Sequence, residues 1–172
     1  MREYNCVVCG EPLNRSNIHN HYLLELARKF HEEGFKLIVE GKIPFLSSEE
    51  WQEPDLFILD DNNCLVKIVE VIVGDPYEAP ENENSVYFKC KKIKDYYDPQ
   101  EIIVFEPTDY LDITFLHERK KHYKKELGYE PTSYKEIQTH FQKKWEKNGL
   151  NAVFWNEENL VEKHIEKLRN SK

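Results

Sequence analysis

No stretch of the 172 residues approaches the roughly 20 consecutive apolar positions of a membrane-spanning helix. The charged opening MREYNC is followed by no hydrophobic segment of the secretory kind. The expectation is a soluble, intracellular, cytoplasmic protein with no membrane partner. Cysteine is scarce as well: Cys6, Cys9, Cys64 and Cys90 do not make a disulfide framework in a chain this long and this rich in Lys and Glu. Positive charge is in deficit, and a net charge of −8 argues against a surface coated in nucleic acid. The deficit is local, because residues 48–83 hold eleven acids against Lys67 alone, whereas residues 117–147 hold nine Lys and Arg against five Glu. The length fits one domain with a real core, with at most a small appendage.

What the acidic region contains is more specific than its charge. The segments LFILD (56–60) and CLVKIVEVIV (64–73) are β-branched and apolar, and the Asp-Asp-Asn-Asn cluster between them supplies turn residues. A two-residue turn at Asn62-Asn63 pairs Asp61 with Cys64, Leu59 with Val66, Phe57 with Ile68, and so Asp55 with Glu70. Directly opposed residues share a face, with Cβ atoms about 4.5–5.5 Å apart. Two carboxylates so placed repel each other unless a cation or a proton intervenes. Glu70 lies within Ile68-Val69-Glu70-Val71-Ile72-Val73, apolar on both sides, and a buried charge costs several kcal/mol unless it is paired or ligates metal.

Along the rest of the chain, Leu23, Ala27 and Phe30 predict a helix over 18–33 stopped by Gly34, followed by a strand at 35–40. On that helix's wheel Glu25 points away from the core. Val86, Cys90, Ile93 and Tyr97 recur at helical spacing and predict a helix over 84–97 whose apolar face packs on a sheet. Residues 102–105 form a strand reached by a parallel crossover. Residues 107–130 read as an insertion with a short helix near 116–126. A helix over 132–148, a strand at AVFW (152–155) and a last helix capped by Asn156 complete an α/β pattern around a small central sheet.

Helix, strand, Pro54-Asp55 on a second strand, Glu70 on a third, then a helix and a strand ending EIIVFEP together resemble the PD-(D/E)xK nuclease superfamily, over about residues 18–106 and less sharply over 131–169. The resemblance implies a restriction-endonuclease-like core with a mixed sheet flanked by helices. It implies further that Asp55 and Glu70 bind magnesium or manganese (Mg²⁺ or Mn²⁺), for the hydrolysis of DNA phosphodiester bonds. The lysine that family members carry two residues past the Glu is here Ile72. Some members instead carry it on the following helix, which makes Lys89 the first candidate and Lys92, on the same side of the helix, the second. Lys67 differs from Glu70 by an odd number and faces the other way. A CoiA-like variant of the family has a Glu on the first strand, which matches Glu40 as a further metal ligand, and a His that matches His21.

The N-terminus has its own chemistry. Cys6-Val-Val-Cys9-Gly10 has the form of a zinc knuckle, and with His19 and His21 it makes a Cys2His2 set for a structural Zn²⁺ within residues 1–21. CoiA-like proteins carry a similar element. If His21 binds zinc it cannot also serve the acids. The same stretch superficially resembles the opening of an HNH endonuclease, but neither a second Cys pair nor a later Asn and His on a helix appears at the family's spacing. The leading expectation is a metal-dependent endonuclease, working as a homodimer if it cuts both strands of a duplex. The alternative is a nuclease-like fold that has lost catalysis and serves as a zinc-stabilised module binding nucleic acid or protein.

Overall fold

The computed structural model describes residues 4–39, 54–74 and 85–161. A short hairpin, β1 (Tyr4–Asn5) and β2 (Pro12–Leu13), leads into helix α1 (Ile18–Glu32). There follow β3 (Lys36–Val39), β4 (Leu56–Leu59), β5 (Leu65–Val71), α2 (Val86–Tyr97), β6 (Glu101–Phe105), α3 (Thr108–Thr114), α4 (Leu116–Leu127), α5 (Tyr134–Lys147) and β7 (Ala152–Trp155). Residues 157–161 begin a further helix. Among the described residues no helix is long and apolar enough to cross a membrane.

The five longer strands form one mixed sheet in the order β3-β4-β5-β6-β7, antiparallel from β3 to β5 and parallel from β5 to β7. The parallel step from β5 to β6 runs through α2. Alternation along each strand separates two cores. One face carries Ile58, Val69, Ile103 and Phe105 against Ile18, Tyr22, Leu26 and Phe30 of α1. The other carries Phe57, Ile68, Ile102 and Val104 against Tyr87, Cys90 and Ile93 of α2, with Trp145 of α5.

Helix α1 ends where Gly34 takes φ +92°. Gly34 N–H donates to His31 O at 3.0 Å and Phe35 N–H to Phe30 O at 3.1 Å, while the Phe35 ring packs on Phe30. That is the paired-carbonyl stop a positive-φ glycine permits.

The hairpin turn is not the two-residue one expected. The Asp60 carboxylate accepts from both Asn62 N and Cys64 N at 2.9 Å, and Asp60 N donates to Cys64 O, which widens the turn to span residues 60–64. Leu59 therefore pairs with Leu65 instead of Val66, and Asp61 has no strand partner. The register shifts between Ile58 and Leu59, so that Val66 is the extra residue of a bulge. Beyond it Ile58 pairs with Lys67 and Phe57 with Ile68, so the expected ladder is restored where the acids lie. The segment at 107–130 is also more integrated than an appendage, because Leu111, Leu116 and Tyr123 join the α1-side core.

Candidate functional site

Asp55 immediately precedes β4 and Glu70 lies in β5. The pairs Phe57 with Ile68 and Leu56 with Val69, continued by one step, bring Asp55 opposite Glu70. Glu70 projects from the α2 side of the sheet and is 1% exposed. Its Oε2 accepts a hydrogen bond from Lys89 Nζ at 2.7 Å, whereas its Oε1 is buried with no hydrogen-bond partner among the described residues. Burial pushes the Glu70 carboxyl up to about 7; the Lys89 ammonium pulls it down and the Asp55 charge pushes it up again. Burial also opposes charge on Lys89, but Glu70 and Asp55 outweigh it and hold that ammonium above the usual lysine value. Lys89 is placed in the first turn of α2, whose start is fixed by the Ser85 hydroxyl accepting from Phe88 N at 3.2 Å.

Asp55 Oδ2 accepts from Val71 N at 2.7 Å and lies 3.4 Å from His19 Nε2. The other ring nitrogen of His19, Nδ1, stands 3.2 Å from Asn20 Oδ1. Both nitrogens thus face acceptor oxygens, while a neutral imidazole has a single N–H to give. A buried carboxylate oxygen without a donor, an aspartate and an imidazole nitrogen are donor types that suit a hard or borderline divalent cation, although their ligand atoms do not all lie within 4.8 Å of one another.

The second cluster is made of sulfur and nitrogen. One ligand atom from each of Cys6, Cys9 and His21 lies within 4.8 Å of the others, the one such group of three among the described residues, and it could hold a metal ion. Cys9 Sγ is 3.5 Å from His21 Nε2, and His21 Nδ1 is 3.5 Å from Glu11 Oε2, an outer carboxylate that favours the tautomer with the Nε2 lone pair free for metal. Cys6 Sγ accepts from Val8 N at 3.4 Å and Gly10 N donates to Cys6 O at 2.8 Å, closing the tight turn. Burial raises the Cys6 thiol, opposed by backbone N–H groups of Cys9 and Val8 aimed at its sulfur. All four cysteines are free thiols.

The expected Cys2His2 set is therefore divided. His19 and His21 are two residues apart on a helix, about 200° around its axis, so they leave on different sides: His21 reaches the thiols and His19 reaches Asp55. Lys92 is not brought to the acids; its ammonium sits 5.2 Å from the centroid of the Phe88 ring. Glu40 lies outside the described residues. Lys67 pairs with Glu101 at 3.1 Å, away from Glu70. Glu25 is buried at 7% exposure and pairs with Arg28 at 3.1 Å, contrary to its expected outward position. The stripe of α1 is centred on Ile18, Tyr22 and Leu26, which rotates the buried face toward Glu25.

A further buried acid gave no signal in the sequence. Glu157, 1% exposed, accepts from Tyr4 Oη at 2.8 Å and Asp109 N at 2.9 Å on one oxygen, and lies 3.4 Å from Thr108 Oγ1 on the other. Burial pushes its carboxyl up to about 7. Read from the sequence it is an ordinary first-turn acid after an Asn cap. A folded-state pKa above the unfolded one makes the native chain hold the proton more tightly. The stability so contributed is present at pH below about 4.5 and lost as pH rises through about 7. We expect Glu157→Gln to flatten the pH dependence of unfolding in this window by up to about 1.4 kcal/mol per pH unit, measured by urea titration with chelator present. An unchanged slope would exclude Glu157 as its source.

Comparison with protein-family models, curated proteins and solved structures finds no match to this chain, so its function is argued from the two side-chain clusters themselves.

Proposed function

We propose that the chain is a divalent-metal-dependent endonuclease with a restriction-endonuclease-like core, hydrolysing phosphodiester bonds of DNA at the Asp55–Glu70 pair. The observation that carries the reading is the Glu70 carboxylate, buried opposite a second acid with Oε1 unpartnered among the described residues and Oε2 on Lys89 at 2.7 Å. A buried acceptor left without a donor costs about 1–3 kcal/mol, a cost that a bound cation removes. Asp55, Glu70 and His19 would hold Mg²⁺ or Mn²⁺, which lowers the pKa of a bound water and offsets charge on the scissile phosphate.

The protein's own groups have separable tasks. Glu70 holds the cation and keeps the Lys89 ammonium at the site. Lys89, with 29% side-chain exposure, stands at the wet edge of the site, where its charge can meet a phosphate oxygen or orient the attacking water. Lys121, Lys124 and Lys125 are exposed on α4 and provide the basic surface that the net charge of −8 does not. The soft donors Cys6, Cys9 and His21 suit Zn²⁺ in a structural role.

The test is purified protein with single- and double-stranded DNA in Mg²⁺ or Mn²⁺, beside Asp55→Ala. Cleavage by the wild type at least about a hundredfold faster than by the variant is expected; equal rates would remove the acids from the mechanism. The second reading, a zinc-stabilised binding module without catalysis, is favoured by Ile72 at the position where the family has lysine. DNA retention without cleavage in either metal would select it.

A further inference from the structure

The two clusters are joined by a single helical turn. Ile18, His19, Asn20 and His21 open α1, with His21 against Cys6 and Cys9 and His19 against Asp55. This turn lacks the usual local supports. Asn17, its cap residue, makes no capping side-chain bond to the helix, and no acid lies in the first turn. Its side chain accepts instead from Asn14 N at 2.8 Å, facing back into the loop. Such a cap contributes about 1 kcal/mol where it is made. The hairpin in front is short too, two residues per strand, and a hairpin of that kind is at best marginal alone. Ile18 and Tyr22 are wholly buried and fix the helix axis, while the His19 side chain is 37% exposed.

Resting on the reading of Asp55 and Glu70 as a divalent-cation site, we propose that a zinc ion held by Cys6, Cys9 and His21 locks the first turn of α1 and thereby positions His19 against Asp55. His21 is then the positioning residue and His19 the group it delivers. A metal–nitrogen bond two residues away removes the rotational freedom of the turn, so that His19 is pre-set for a cation at the acids rather than ordered by it. The zinc ion touches neither DNA nor the acids, yet it raises their affinity for the second metal.

The experiment measures Mn²⁺ affinity by calorimetry or electron paramagnetic resonance on the full chain, first stripped of metal and then given one equivalent of zinc. Cys9→Ser, His19→Gln and Asp55→Asn are measured alongside, and long-range ¹⁵N correlation spectra follow the His19 ring. Zinc is expected to tighten Mn²⁺ binding by about tenfold in the wild type and to shift and sharpen the His19 signals. Cys9→Ser, whose thiol is exposed, should stay at the zinc-free affinity with or without zinc. His19→Gln should lose the difference between the two states although zinc still binds. If zinc loads stoichiometrically and leaves both Mn²⁺ affinity and the His19 signals unchanged while Asp55→Asn still weakens Mn²⁺ binding, the coupling is wrong and the acid site stands. A wild type that fails to bind Mn²⁺, or binds it equally after Asp55→Asn, overturns the acid site and the coupling together.

Discussion

On the proposed nuclease reading, replacing Glu70 by glutamine is expected to lower Mn²⁺-dependent DNA cleavage by about a thousandfold while leaving the metal-free fold as stable as the wild type or more so. The rate loss follows from the several kcal/mol of charge stabilisation a catalytic cation supplies, at about 1.4 kcal/mol per factor of ten. The stability follows from the same burial that makes Glu70 useful. Its carboxylate is 1% exposed, its pKa is pushed up to about 7, and one oxygen has no donor among the described residues. Glutamine keeps the shape and discards the charge that Asp55 opposes. Lys89, at 29% side-chain exposure, can turn its ammonium to water. Initial rates in Mn²⁺ and thermal melting in chelator at pH 8 check the two halves. A variant that keeps most of the activity would refute the metal-ligand role, and a melting temperature far below wild type would mark Glu70 as structural.

Glu157→Ala is expected to do the reverse, destabilising the fold by about 3–5 kcal/mol, a fall of roughly 10 °C or more in melting temperature for a chain of this size. Burial pushes both glutamates up to about 7, so this shift does not distinguish them. Their partners do. Glu157 is met by Tyr4 Oη, Asp109 N and Thr108 Oγ1, and Tyr4 Oη is itself 2.7 Å from the fully buried Tyr22 Oη. Truncation leaves a tyrosine hydroxyl and the start of α3 without an acceptor and opens a void beside Tyr110. Glu157→Gln, which retains an acceptor, should recover most of the loss; an alanine variant melting within about 2 °C of wild type would show that water replaces the carboxylate.

The contrast between these acids bears on what the residues reveal before folding. Val86, Cys90, Ile93 and Tyr97 announce α2, and AVFW announces β7, because burial on one face leaves a period in the chain. The opposition of Asp55 and Glu70 was legible for the same reason. Other features depend on contacts that have no period. The Asp60 side chain substitutes for backbone in the turn, so counting turn residues misses the bulge. Helix α4 enters the core through Leu116 and through Tyr123, the latter set in HERKKHYKKEL, too polar to read as buried. On α1, Leu23, Ala27 and Phe30 suggest one face, yet Ile18, Tyr22 and Leu26 are wholly buried or nearly so and turn the helix enough to bury Glu25. The division of His19 from His21 depends on where the helix begins relative to the Cys turn, a matter of one residue. Glu157 shows nothing in advance because its partners come from 48 to 153 positions away in the chain.

The Val66 bulge leaves the β4–β5 hairpin with one residue in reserve. Loss of Val66 would turn the ladder regular from Leu59–Leu65 through Phe57–Ile68, keeping Glu70 across from Asp55 at the expense of one buried side chain of the α1-side core. Gain of one residue between Val66 and Glu70 that no second bulge absorbs turns the Glu70 carboxylate toward α1. Length variation in this hairpin is therefore asymmetric: over evolutionary drift, shortening by one is the permitted change, and lengthening by one erases the acid pair without touching either acid.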